Sequence, residues 1–212
     1  AGKDLSKRAD HLPSFDEKCR MMHICLDGDS RIHPNPLRVL QTGGELLLTH
    51  ATGVRGQKTR SATFDHLWPR DHQQMPVGRS LVLNNTRRGK TNEPGEATHS
   101  GWLPARNPLL CTASSLGLIM LYRWTARGEP FPKVCEEGGI WYKWLPLFLQ
   151  TEGTHEIDKA KALLSFRGLS TSEGEKSQNL CWNKLFHEAL DLQVAGDSLT
   201  HSGRAACQQE AE

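Results

Sequence analysis

The sequence contains no apolar run near the eighteen or so residues that cross a bilayer. Its longest apolar stretches, Leu116–Tyr122 and Trp144–Leu149, are the size of core segments, so no membrane partner is expected. The opening Ala-Gly-Lys-Asp has no apolar h-region, which leaves no visible secretory signal. Without that signal, Asn84-Asn85-Thr86 matches a glycosylation sequon in form only. The cysteines at 19, 25, 111, 135, 181 and 207 include no CxxC pair. The spacing of Cys19, His23 and Cys25 fits no standard zinc motif, so reduced thiols and no metal are expected. Gly89-Lys90-Thr91 ends like a phosphate-binding P-loop, but Asn84 stands where that pattern needs Gly. Asn92-Glu93-Pro94-Gly95, a turn, follows where a helix N-terminus should face the phosphates. No cofactor is therefore expected. Tyrosine is scarce, with only Tyr122 and Tyr142, and there is neither an internal repeat nor a low-complexity tract.

What is present suits an ordinary folded chain. The 212 residues are 37% hydrophobic and 24% charged, enough apolar material for a core, while 19 Gly and 11 Pro imply many loops. The net charge of +2 conceals an asymmetry. Residues 1–110 hold 16 Lys/Arg against 11 Asp/Glu, and residues 111–212 hold 10 against 13. Within 52–108, nine basic residues face four acidic ones. That excess fits an anionic partner and equally fits a solvated surface.

Along the chain, residues 1–36 are polar, carry Pro13, Pro34 and Pro36, and read as an arm or linker before a domain over 37–212. Apolar residues at 37, 40, 47, 48, 51 and 54 suit a helix interrupted at Gly43-Gly44. Ser80–Asn84 reads as a strand, and Gly101-Trp102-Leu103 as its partner across a turn-rich segment. Pro108 precedes Leu109–Trp124, a buried helix, and Trp141–Leu149 must be core. Glu156–Phe166 reads as a short amphipathic helix and Ser170–Ser177 as a polar loop. Trp182, Leu185, Phe186, Ala189 and Leu190 follow the spacing of a one-sided helix. A last helix starts near Ser198 or Thr200, either of which can cap it. The fold class expected is mainly α with a small β-hairpin or sheet, an α+β domain.

Two short motifs carry chemistry only in combination. Thr52-Gly53-Val54-Arg55 ends a helix, with Arg60 soon after. Thr200-His201-Ser202-Gly203-Arg204 puts His201 and Arg204 three apart, on one helix face. An Arg, a Lys in a β-hairpin, then His-x-x-Arg is the order used by tyrosine recombinases. The intervening residues sharpen this: Leu81-Val82-Leu83, Gly89-Lys90-Thr91-Asn92, His99-Ser100-Gly101-Trp102-Leu103 and Arg106-Asn107-Pro108-Leu109-Leu110-Cys111. With Leu121-Tyr122-Arg123-Trp124, Arg127-Gly128-Glu129-Pro130-Phe131-Pro132 and Trp141-Tyr142, they closely resemble Crypton-type tyrosine recombinases. The same domain occurs in the DNA-binding part of the budding-yeast centromere-binding kinetochore subunit. The resemblance covers about residues 46–212 and is densest at 81–145 and 198–211.

The resemblance implies a catalytic-domain-like fold of that family, a nuclear location, and a site for phosphoryl transfer. Arg55 and Arg204 would grip the non-bridging oxygens of a phosphate, a task that suits the planar, always-charged guanidinium. Lys90 would protonate the leaving 5′-oxygen and His201 would act as acid/base partner. The four are expected to converge on one basic concavity. Arg60, Arg87, Arg88, Thr91, Asn92 and Arg106 are expected to contact DNA around them. The match is incomplete, because Gln57-Lys58 replaces the expected acidic residues and the chain ends eight residues after Arg204. No tyrosine follows His201, and both Tyr122 and Tyr142 read as core residues. The expectation is thus double-stranded DNA binding through an inherited, incomplete site without strand cleavage, with a second copy of the chain as a further partner. Two readings stay open beside it: a fragment of an active recombinase whose tyrosine lies downstream, and an interaction domain that does not bind DNA.

Overall fold

The computed structural model describes residues 13–54, 56–71, 79–85, 98–129, 146–149 and 172–190. Helix α1 (Phe15–Leu26) starts at a capping box. Ser14 Oγ accepts the Glu17 N–H at 3.3 Å, and Glu17 Oε2 accepts the Ser14 N–H at 2.7 Å. The polar arm expected over 1–36 is therefore corrected from Phe15 onward. α1 buries Met21, Met22 and Cys25, and Ile32 in the following turn is fully buried as well. Each such side chain stabilises the fold by about 1.5–3 kcal/mol, too much for a free linker.

Helix α2 (Pro36–Thr52) has Asn35 as its cap, whose Oδ1 accepts the Leu37 N–H at 3.0 Å, with Pro36 opening the first turn. It ends at Gly53, in the left-handed region at φ 62°. The interruption expected at Gly43-Gly44 does not occur, since the helix runs straight through. A Cβ at Gly43 would lie 2.9 Å from Met22 Cε and 3.0 Å from Cys25 Cβ, and one at Gly44 2.5 Å from Ile119 Cδ1. The pair lets helices close on α2 from two sides.

A short helix α3 (Gly56–Arg60) follows the Gly53 turn, and then comes the sheet. Strands β1 (Leu67–Asp71), β2 (Arg79–Asn85) and β3 (Thr98–Trp102) form an antiparallel sheet in the order β1-β2-β3. Leu67 pairs with Leu83 and Leu83 with Ser100; Trp68 pairs with Val82 and Val82 with Gly101. β2 covers the strand expected over Ser80–Asn84, while β3 overlaps the expected Gly101-Trp102-Leu103 only at Gly101 and Trp102 and begins three residues earlier. β1 adds an edge strand that carries Pro69, where a missing N–H costs the ladder least. Helix α4 (Thr112–Thr125) follows a 3₁₀ turn at Pro108–Leu110, as expected for 109–124. Helix α5 (Ser172–Leu190) begins inside the expected 170–177 loop, so that expectation is corrected. The expected helices over 156–166 and from 198 lie outside the described residues.

Two apolar clusters flank α2. Leu37, Leu40 and Leu48 of α2 pack with Leu83, Trp102, Leu116, Ile119, Leu147 and Phe148, joining the sheet, α4 and the 146–149 segment. Val39 and Leu46 pack with Met21, Cys25, Trp182, Leu185 and Phe186, joining α1 and α5. The aromatic stripe of α5 thus faces the interior as its spacing predicts. Of the expected core over 141–149, Leu147, Phe148 and Leu149 are buried, and 141–145 lie outside the described residues.

Polar side chains are buried with these clusters. Arg38 and Glu45, two turns apart on α2, form a fully buried pair through Nη1–Oε1 at 2.6 Å and Nη2–Oε2 at 3.2 Å. Gln178 of α5 donates through Nε2 to Glu45 Oε2 at 2.8 Å and accepts from Arg60 Nη1 of α3 through Oε1. Burial alone would lower the Arg38 pKa, but attraction to Glu45 outweighs it and holds the guanidinium above its ordinary value. Arg123 of α4 is buried too, donating to Glu129 Oε2 at 2.7 Å and to the Pro146 carbonyl at 2.8 Å.

Candidate nucleic-acid interface

A phosphate-binding surface needs cations not already committed to protein acceptors, because a guanidinium locked in an internal fork has few donors to offer. Most arginines with described side chains are so committed. Arg38, Arg60 and Arg123 are buried in the networks above. Arg31 pairs with Asp29 and Glu188, Arg20 lies 4.0 Å from Glu17, and Arg127 lies 3.4 Å from Glu129. Arg70 and Arg106 differ. Both are exposed and neither makes an ion pair with a described residue.

The strand register places them at one end of the sheet. β3 runs parallel to β1, with Pro69, Leu81 and Trp102 in one row across the three strands. Arg70 is the next residue of β1, and the chain leaves β3 after Trp102 through exposed Leu103, Pro104, Ala105 and Arg106. Asn107 then turns this exit into the helical region, its Oδ1 accepting the Leu109 N–H at 3.0 Å. The opposite end of the sheet is formed by Asn85 and Thr98, between which the sequence carries Arg87, Arg88, Lys90, Thr91 and Asn92. Those five residues lie outside the described residues.

Arg60, expected at the DNA surface, is only 3% exposed, and its guanidinium reaches Gln178 inside the protein. Its place in α3 turns it inward against α5 rather than toward solvent. Arg55 lies outside the described residues, between Val54 and Gly56. Val54 itself is buried in the same cluster as Leu83 of β2 and Trp102 of β3. The chain just after α2 is thus anchored to the sheet. His201 and Arg204 lie outside the described residues, so the convergence of the four expected site residues is not observed here. Sequence reasoning passed over Arg70, because β1 is broken in pattern by Pro69.

No metal grouping occurs among the described residues. Of the trio Cys19, His23 and Cys25, whose spacing fits no zinc motif, Cys25 is 1% exposed and its thiol is pushed up to about 12, by burial first and then by nearby Cys181. Cys19 accepts from Asn107 Nδ2 at 3.5 Å. No described helix is long and apolar enough to cross a membrane. Tyr122 is half-buried against the core cluster, as expected, and Tyr142 lies outside the described residues.

The class defined by these features is a mainly helical α+β domain, with helices packed on a three-stranded antiparallel sheet and exposed arginines in β1 and after β3. Residues 15–161, more than half of the chain, match the family described as "Centromere DNA-binding protein complex CBF3 subunit, domain 2". The chain belongs to that family. The match begins at Phe15, the first residue of α1. No curated protein and no solved structure matches the chain.

Proposed function

We propose that this chain is a nuclear double-stranded DNA-binding domain that grips phosphates, built on a site related to that of tyrosine recombinases and without strand-cleavage activity of its own. Membership in a family described by centromere DNA binding is the observation that carries the reading. Arg70 and Arg106, exposed and unpaired among the described residues at one end of the sheet, support it. Arg55, Lys90, His201 and Arg204 are the proposed phosphate-gripping set, and Arg87, Arg88, Thr91 and Asn92 the proposed hairpin contacts. Arg60 supports from within. Most of the affinity then comes from phosphate contacts and falls steeply with salt. Neither tyrosine is proposed as a nucleophile, since Tyr122 packs against the core and Tyr142 belongs to the same aromatic section of the sequence.

The test is fluorescence anisotropy with labelled duplex DNA across a salt series, for the natural chain, Arg204→Ala and Arg106→Ala. Loss of one phosphate contact weakens binding on every duplex sequence and reduces the salt slope by about one. Absence of binding even at low salt would overturn the reading.

A further inference from the structure

The antiparallel register divides the sheet's side chains between two faces. Leu67, Leu81, Leu83 and Trp102 turn toward the core cluster. Trp68, Val82 and Gly101 then form a row across the opposite face. Trp68 is 58% exposed there, an unusual state for the largest apolar side chain. Its cross-strand partner is the smaller Val82, with Gly101 one strand beyond; a Cβ built on Gly101 would meet only Val82 Cγ2, at 3.7 Å, and the backbone of Leu81. Arg70 is exposed two residues along β1, on the same face, about 6.7 Å away along the strand. His99, paired with Asn84, is exposed on that face at the far edge, two strands from β1 and toward the other end. Ser80, the partner of Arg70, lies on this face as well and is 5% exposed. The other described side chains of the face put an apolar row between two hydrogen-bond-donating corners, and none of them is acidic.

We propose that this outward face of the sheet is a contact surface for the backbone of duplex DNA. Trp68 seats against deoxyribose, while Arg70 and His99 reach the phosphates on either side. A nucleic-acid strand alternates apolar sugar with anionic phosphate, which is the alternation this face presents. Among the described residues no acidic side chain shares this face and Arg70 makes no ion pair, so the match is one of charge as well as shape. Indole supplies a rigid apolar plane at low cost in conformational entropy. A three-stranded sheet, about 10 Å between its outer strand axes, is too broad for the minor groove of about 6 Å, so the face lies along the backbone rather than inside that groove. This inference rests on the DNA-binding reading above and adds to it a surface not among the residues derived from the sequence.

The experiment uses the whole chain and a labelled duplex at fixed low salt, with Trp68→Ala, Trp68→Phe, Arg70→Ala and, as a control for loss of exposed apolar surface elsewhere, Leu180→Ala on α5. Trp68→Ala is expected to weaken binding about tenfold without changing the salt slope, on the scale of burying part of one large apolar side chain. Trp68→Phe retains most of the affinity, Arg70→Ala lowers the salt slope by about one, and Leu180→Ala leaves binding unchanged. Thermal melts of each variant confirm that these exposed positions leave the fold intact. If the natural chain binds and Trp68→Ala binds equally well, the sheet-face inference is overturned while the DNA-binding reading stands. If the natural chain does not bind, that reading fails and this one fails with it.

Discussion

Glu45→Ala should be among the most destabilising single substitutions in this chain. The Glu45 carboxylate is fully buried and receives three hydrogen bonds: from Arg38 Nη1 at 2.6 Å, Arg38 Nη2 at 3.2 Å and Gln178 Nε2 at 2.8 Å. Its removal leaves a buried guanidinium without its counter-charge and two side chains with orphaned donors. Each orphaned donor costs about 1–3 kcal/mol. Breaking one side of a buried ion pair costs about 3–5 kcal/mol in all. For a chain of this size that is a fall in Tm on the order of 6–20 °C. Arg38→Met combined with Glu45→Leu removes both charges and refills the space, and such apolar replacements are often neutral or stabilising. The double variant should therefore recover the part of the loss that comes from stranding Arg38, while Gln178 Nε2 stays without its acceptor. Urea denaturation followed by far-UV circular dichroism measures all of these. A loss below about 1 kcal/mol for Glu45→Ala would refute the reasoning, because water would then have to reach Arg38. A double variant no more stable than the single would show instead that the cost lies in packing rather than in the stranded charge.

Two further outcomes follow from the packing and the titrating groups. Gly43→Val should destabilise the fold by about 1–3 kcal/mol, read as a lower urea midpoint, because even the first added carbon would lie 3.0 Å from Cys25 Cβ. His33 has its pKa held below the ordinary value by burial first and then by the charge of Arg38, with Lys184 adding to it. The folded chain therefore takes up this proton less readily than the unfolded one. The resulting stability is present above the unfolded value of about 6.5 and is lost as pH falls below it. Replacing His33 with Gln should flatten that part of the stability profile, and an unchanged acid limb of the melting curve would contradict it.

The parts of this fold that are legible in the sequence are those with a clean period or a strong cap. Leu81-Val82-Leu83 bounded by polar residues gives β2, and the stripe from Trp182 to Leu190 gives the buried face of α5. Helix α1 escapes because its apolar residues are few and bunched at its C-terminal end, although Ser14-Phe15-Asp16-Glu17 holds a complete capping box that marks its start. Gly43-Gly44 misleads for a different reason. Glycine weakens an isolated helix, but here tertiary contact on both sides decides, and the absent side chains are the contact. The start of α5 is polar in sequence, and Gln178, which follows it, serves a buried network whose other members are at 38, 45 and 60. No local window holds those four together. The same limit applies to the candidate interface: Arg60 and Arg106 look alike in the sequence, and only the packing sends one inward and leaves the other at the surface.

Gln178 also acts as a vernier for helix α5. The apolar stripe of that helix could be moved along its groove by a turn and still bury hydrocarbon. The amide cannot, because it must give a hydrogen to Glu45 and take one from Arg60 at the same time. A slip of one turn would bring Gly174 or Trp182 to that spot. Glycine has no side chain to do either task, and indole can only donate. One uncharged residue therefore fixes where nineteen come to rest. Through Arg60 it also indexes that helix to α3.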